Sequence, residues 1–175
     1  MKKNALPICI MVMLNCALLR CGGASAPETD IRIVDLAALE SVLAEQQGRA
    51  VLLNFWAIWC EPCVAELPEL LEIARDYREQ GGVVLGVSYD LMIPDVTRDG
   101  VLEQMRAFAA QRRIDIPVLI YEADDYDAIN ERFDLPGPVP FTLALDRGGA
   151  IVDRQEGQSG RERFAAMMEK ALGKR

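Results

Sequence analysis

The sequence predicts an α/β fold with a central mixed sheet, a parallel core closed by a C-terminal antiparallel hairpin, flanked by helices. Three observations carry that prediction. Short apolar runs at 31–34, 50–56, 83–89 and 117–121 alternate with stretches whose apolar positions recur at helical spacing, the alternation that a parallel sheet with crossover helices requires. The runs at 141–145 and 150–154 are instead joined by Asp146-Arg-Gly-Gly, a hairpin turn signal. Finally, Cys60 and Cys63 stand between the run at 50–56 and an amphipathic stretch, and a Cys-X-X-Cys at a strand-to-helix junction is a specific signal.

Taken in order, residues 31–34 (Ile-Arg-Ile-Val) alternate like a short strand, and 36–47 follow with Leu36, Leu39, Val42 and Leu43 at helical spacing before Gly48. Residues 50–56 read as a buried strand. After the cysteines, Val64, Leu67, Leu71 and Ala74 share one face of a helix. Residues 83–89 read as an interior strand, 102–112 as a helix, 117–121 as a strand and 126–133 as a short helix. Beyond the Pro136-Gly137-Pro138 turn come the two hairpin strands, and 161–172 form a last helix. Parallel-sheet sites collect at the carboxyl ends of strands, where Trp59, Cys60 and Asp90 would emerge.

The spacing of the cysteines gives the chemistry. At a helix start, unpaired N–H groups and the positive end of the helix dipole stabilise an anion, so Cys60 is the expected nucleophilic thiolate. One turn on, Cys63 is placed to attack a mixed disulfide and release the reduced substrate, while Pro62 removes an N–H that had no partner. A zinc site would need further ligands, but the chain has no His and its other cysteines, Cys9, Cys16 and Cys21, all lie near the N-terminus. No metal and no cofactor is expected. A purely structural bridge over two intervening residues would restrict the unfolded chain little. Glu61, between the cysteines, should disfavour the Cys60 thiolate and partly offset the helix dipole, which points toward a reductant.

At 175 residues with 51% hydrophobic composition the chain can bury one full core. Lys2 and Lys3 precede an apolar run at 5–19 that contains Pro7 and Asn15; it has signal-peptide proportions and is short for a membrane span. The expected organisation is an export segment and tether at 1–26 and one domain at 27–175. Two cleavage sites compete. Leu18-Leu19-Arg20-Cys21 resembles a lipoprotein box, in which Cys21 would be lipidated, although Arg20 is a poor fit. Cleavage after Ala24-Ser25-Ala26 satisfies the small-residue rule but meets Pro27. Lipidation of Cys21 is the preferred expectation. Removal of 1–26 leaves 16 basic against 27 acidic residues, a net charge of −11, which argues against nucleic-acid binding. The two remaining cysteines suit an oxidising compartment.

Trp59-Cys60-Glu61-Pro62-Cys63-Val64-Ala65-Glu66-Leu67-Pro68 resembles the Trp-Cys-X-Pro-Cys-X-X-Glu-X-Pro motif of the TlpA/ResA-like thiol-disulfide oxidoreductases of the bacterial cell envelope, within the thioredoxin superfamily. The resemblance runs from about Ile31 to the C-terminus and includes Val139-Pro140-Phe141-Thr142, similar to the family's cis-proline loop. It implies the thioredoxin fold, a cis peptide before Pro140, and a Val139 backbone lying beside the cysteines where an extended substrate can pair. It also implies that Asp90 assists proton transfer, against the alternative of a turn or capping Asp. Asn54 stands where cytosolic thioredoxins carry a buried carboxylate. Trp59 is expected as an exposed rim for substrate and Trp56 as a core residue. Glu66, off the apolar stripe, reads as a solvated helix residue, and the acidic cluster Glu122, Asp124, Asp125 and Asp127 as a solvated helix start that could also attract a basic partner.

The function so implied is an envelope reductase of client protein disulfides, among them apocytochrome c before haem attachment, fed by a membrane thiol donor of the DsbD/CcdA type. A monomer on the periplasmic or other extracytoplasmic face, with a lipid anchor at Cys21, is expected. Two alternatives remain. Peroxiredoxins share the fold, but generally need Thr or Ser three residues before the peroxidatic Cys, where Ala57 stands. A redox-inactive or copper-delivery module is discouraged by the absence of His and the short Cys spacing.

Overall fold

All seven residues of the strand Ala50–Trp56 (β2) and all seven of Gly82–Ser88 (β3) are buried. Strands covered on both faces have no solvent side to mark with polar residues, which is why both read as continuous apolar runs rather than alternating ones. The computed structural model describes residues 29–174. Around these strands the order is β1 (Ile31–Val34), α1 (Leu36–Ala44), β2, α2 (Glu61–Tyr77), β3, α3 (Arg98–Arg112), β4 (Val118–Tyr121), α4 (Asp127–Phe133), β5 (Phe141–Leu145), β6 (Ile151–Glu156) and α5 (Arg161–Ala171).

The sheet order is β1-β4-β3-β2-β5-β6. β1, β4, β3 and β2 pair parallel, while β5 runs antiparallel to β2, with Asn54 opposite Thr142, and β6 antiparallel to β5. This is the parallel core with a C-terminal hairpin that the alternation of runs predicts. Side chains alternate across β2, so the sheet has two cores. Leu52 and Trp56 face a cluster with Leu70, Ile73, Met105 and Phe164 from α2, α3 and α5. Leu53 and Phe55 face Leu39, Val42, Ile129 and Phe133 from α1 and α4.

The helix ends differ from the periodic reading for local reasons. α1 stops at Ala44 rather than 47. Its cap is Asp35, whose side chain accepts the Ala38 N–H at 2.8 Å. α3 begins at Arg98, four residues before the apolar pattern becomes visible, because Thr97 caps it and accepts the Gly100 N–H. Arg98, Asp99 and Gly100 are exposed and carry no apolar side chain, so hydrophobic spacing does not register them. At Gly86 the requirement is space: a Cβ there would fall 2.8 Å from Trp56 Nε1, so glycine makes room for the indole beside β3. The export segment and tether expected at 1–26, with Cys21, lie outside the described residues.

Candidate active site

β2 ends at Trp56, and four residues later the chain enters α2 through Cys60, which is the N-cap in extended conformation. Glu61 and Pro62 fill the first turn, where Pro62 costs no hydrogen bond. Cys60 and Cys63 form a disulfide with Cα atoms 5.3 Å apart. The Cys63 N–H donates to Cys60 Sγ at 3.3 Å, so the capping position offers that sulfur a backbone donor as well as the helix dipole. The two sulfurs are not equivalent toward solvent: Cys60 is 6% exposed and Cys63 0%.

Across the pair, the Val139 carbonyl oxygen lies 3.7 Å from Cys60 Sγ, and the Val139–Pro140 peptide is cis. The loop before β5 thus meets the helix start, as the resemblance implies. Trp59 is 52% exposed beside the disulfide, and Trp56 is buried in the core beneath. Asp90, just past β3, is buried. Its carboxylate accepts the Ile58 N–H at 3.1 and 3.2 Å and the Ser88 hydroxyl at 2.6 Å. Burial pushes its pKa up, against the opposing pull of those two hydrogen bonds. Asp90 therefore ties the β2–α2 connection to β3, two residues before Cys60.

Glu66 corrects the expectation of a solvated residue. It is 1% exposed. One carboxylate oxygen accepts the Asn54 side-chain N–H at 2.9 Å and the other accepts the Ser159 backbone N–H at 2.9 Å. Asn54 Nδ2 also donates to Thr142 Oγ1 at 2.9 Å. Burial raises the Glu66 pKa to about 7, with the bonds from Ser159 and Asn54 pulling it down. Glu66 is buried off the apolar stripe because a helix stripe shows what α2 presents to the sheet, not what the loop before α5 covers from the side. A signal was available in Asn54, because an amide in an otherwise apolar buried strand requires a hydrogen-bonding partner.

The sequence profile of the AhpC/TSA family matches residues 23–154. The chain belongs to the AhpC/TSA family. It is 30% identical over 129 residues to the thiol-disulfide oxidoreductase ResA of Geobacillus kaustophilus, covering 74% of this chain and 66% of that one. To the thioredoxin-like protein YneN of Bacillus subtilis it is 33% identical over 131 residues, covering 75% and 69%. The alignments thus span about two thirds of the length of these curated relatives. In structure it resembles a thiol:disulfide interchange protein of the thioredoxin family from Chlorobium tepidum, with TM-score 0.59 and 22% identity over 74% of this chain and 84% of that one. Within the AhpC/TSA family this chain is a ResA-like member of the thioredoxin superfamily, and with Cys60 and Cys63 at the helix start it is an oxidoreductase of thiols and disulfides.

Proposed function

We propose that this protein is a cell-envelope reductase of client protein disulfides, with Cys60 as nucleophile and Cys63 as resolving thiol. The observation that carries the reading is the asymmetry of the disulfide: Cys60 reaches solvent, receives a backbone N–H and borders the Val139 carbonyl, whereas Cys63 is sealed. In the reduced protein the Cys60 thiolate attacks one sulfur of a client disulfide, forming an intermolecular disulfide and releasing the other client sulfur as a thiol. Cys63 loses its proton and attacks Cys60 Sγ. The Cys60–Cys63 bond forms, the second client thiol leaves, and two electrons have passed from protein to client.

Glu66 stands one turn beyond Cys63 on α2, on a neighbouring position of the helix surface. A carboxyl that titrates at about 7 suits the uptake of the Cys63 proton, and Asp90 acts on the same step by holding the β2–α2 connection. Trp59, Val139 and Pro140 form the surface on which an extended client segment lies. Electrons return from a membrane dithiol of the DsbD/CcdA type, and Cys21 lipidation keeps the domain at the membrane. Apocytochrome c is the client that the ResA-like reading favours.

A Cys63→Ser variant should trap clients as mixed disulfides through Cys60, identifiable by mass spectrometry of non-reduced adducts. Titration of the wild type in glutathione buffers tests direction. A reduction potential near that of the strong periplasmic oxidants, or trapping through Cys63 in the reciprocal variant, would defeat the reductase reading. Turnover of hydroperoxide in preference to peptide disulfide would favour the peroxidase alternative.

A further inference from the structure

Beside the disulfide, on the face of the sheet that carries α4, lies a pocket of about 400 Å³ bordered by Trp59, Tyr89, Tyr126, Asn130 and Val139. It is continuous with the reactive centre, because the same Val139 places its carbonyl oxygen 3.7 Å from Cys60 Sγ. Three of the lining groups are aromatic, and Tyr89 and Tyr126 meet edge to face at 5.0 Å. Two of the polar atoms here are buried without a hydrogen-bond partner among the described residues: the Tyr89 hydroxyl and Asn130 Oδ1. Tyr89 is only 2% exposed. Buried polar atoms are nearly always paired, and an orphan beside a cleft marks a place where something else supplies the partner.

The chemistry of the lining selects that partner. An apolar side chain would leave Asn130 Oδ1, an obligate acceptor, and the Tyr89 oxygen unanswered. A carboxylate would set negative charge against acceptors and against the acidic segment around Tyr126, with Asp124 and Asp125 before it and Asp127 after it. Among the described residues no Lys or Arg borders the pocket. Arg98 is paired with Glu122 and Arg132 with Glu40. Aromatic faces and free acceptors, with carboxylates on the chain neighbours of Tyr126, together favour a cation. Among cations, a guanidinium stacks on rings, offers several N–H donors and is weakly hydrated.

We propose that this pocket is a specificity subsite for an arginine side chain of the client chain, carried close to the cysteine that Cys60 attacks. The proposal rests on the disulfide-reductase reading and names the kind of client segment that reading leaves open. The guanidinium lies against Trp59, Tyr89 and Tyr126 and donates to Asn130 Oδ1 and the Tyr89 oxygen. The mature chain's net charge of −11 draws such segments in, an effect that salt weakens.

The test compares two disulfide peptides that differ only in Arg or Gln next to the attacked cysteine, by kcat/KM with the reduced protein. The expected preference for Arg is roughly tenfold at low ionic strength, shrinking as salt is added. Both Tyr89→Phe, which keeps the ring and removes the acceptor, and Asn130→Ala, at a half-exposed position, should move the ratio toward one. Equal rates for the Arg and Gln peptides, a ratio unchanged in both variants, or faster turnover of a third peptide with Leu at that position would each overturn the subsite. A cysteine-free version of the Arg peptide separates this outcome from failure of the reductase reading. NMR shifts it induces at Tyr89 and Asn130 support the subsite even if no disulfide peptide is turned over, and their absence overturns it.

Discussion

Asn54 of β2 and Glu66 of α2 are joined by a 2.9 Å hydrogen bond inside the protein, and both are only 1% exposed. The bond ties the strand that leads into the cysteines to the helix that leaves them. Because the carboxyl is buried, its neutral form is favoured in the fold relative to the unfolded chain, and its pKa rises from 4.5 to about 7.

That shift predicts a pH dependence. The folded state holds the Glu66 proton at pH values where the unfolded chain has released it, so this group's contribution is fully present below about 4.5 and is lost as pH rises through about 7. Glu66→Gln should remove this slope, on the order of 3 kcal/mol across the window, measurable by urea denaturation at several pH values. The same variant should flatten the pH–rate profile of client reduction near neutrality. An unchanged profile would remove Glu66 from the path of the Cys63 proton.

Asp90→Asn keeps an acceptor but loses the negative charge that receives the Ile58 N–H and the Ser88 hydroxyl. Faster hydrogen exchange at Ile58 is expected, together with slower disulfide reduction, most marked near neutral pH. Global stability should change by roughly 1–3 kcal/mol, the range for weakening a buried hydrogen bond to a charged group. Faster exchange without any change in rate would restrict Asp90 to bracing the loop.

Glu61 occupies the first turn of α2 and is exposed. Its carboxylate opposes the helix dipole at Cys60, so Glu61→Gln should lower the Cys60 pKa and raise the reduction potential. Solvent screening limits the change to roughly 20 mV. Glutathione titration of both proteins reads it directly, and a shift in the opposite direction would contradict the electrostatic assignment.

Gly86→Ala would bring a methyl group to 2.8 Å from Trp56 Nε1. Displacing the indole from a filled core should cost roughly 1–3 kcal/mol. Because Trp56 packs in the cluster that contains Cys60 and Cys63, the tryptophan emission of the oxidised protein should change as well. Wild-type stability in this variant would mean that the ring has room to move.

Much of this protein was legible in its sequence because the relevant signals are local. The strands at β1, β2 and β5 are bounded by residues that end apolar runs, and Cys60 and Cys63 lie one turn apart on a helix whose start follows a buried strand. Strand-to-helix junctions and cysteine spacing need no knowledge of distant contacts. The tertiary structure decided what distant segments do to one another. Glu66 is buried because Ser159, 93 residues away, closes over it, and Val139 meets Cys60 across 79 residues. Tyr89, one residue past β3, and Asn130 of α4 border one pocket because α4 packs on that face of the sheet. Periodicity gives the direction in which a side chain points from its own element. Whether water or another segment waits there depends on packing, and packing is what set the Glu66 pKa and shaped the pocket beside the disulfide.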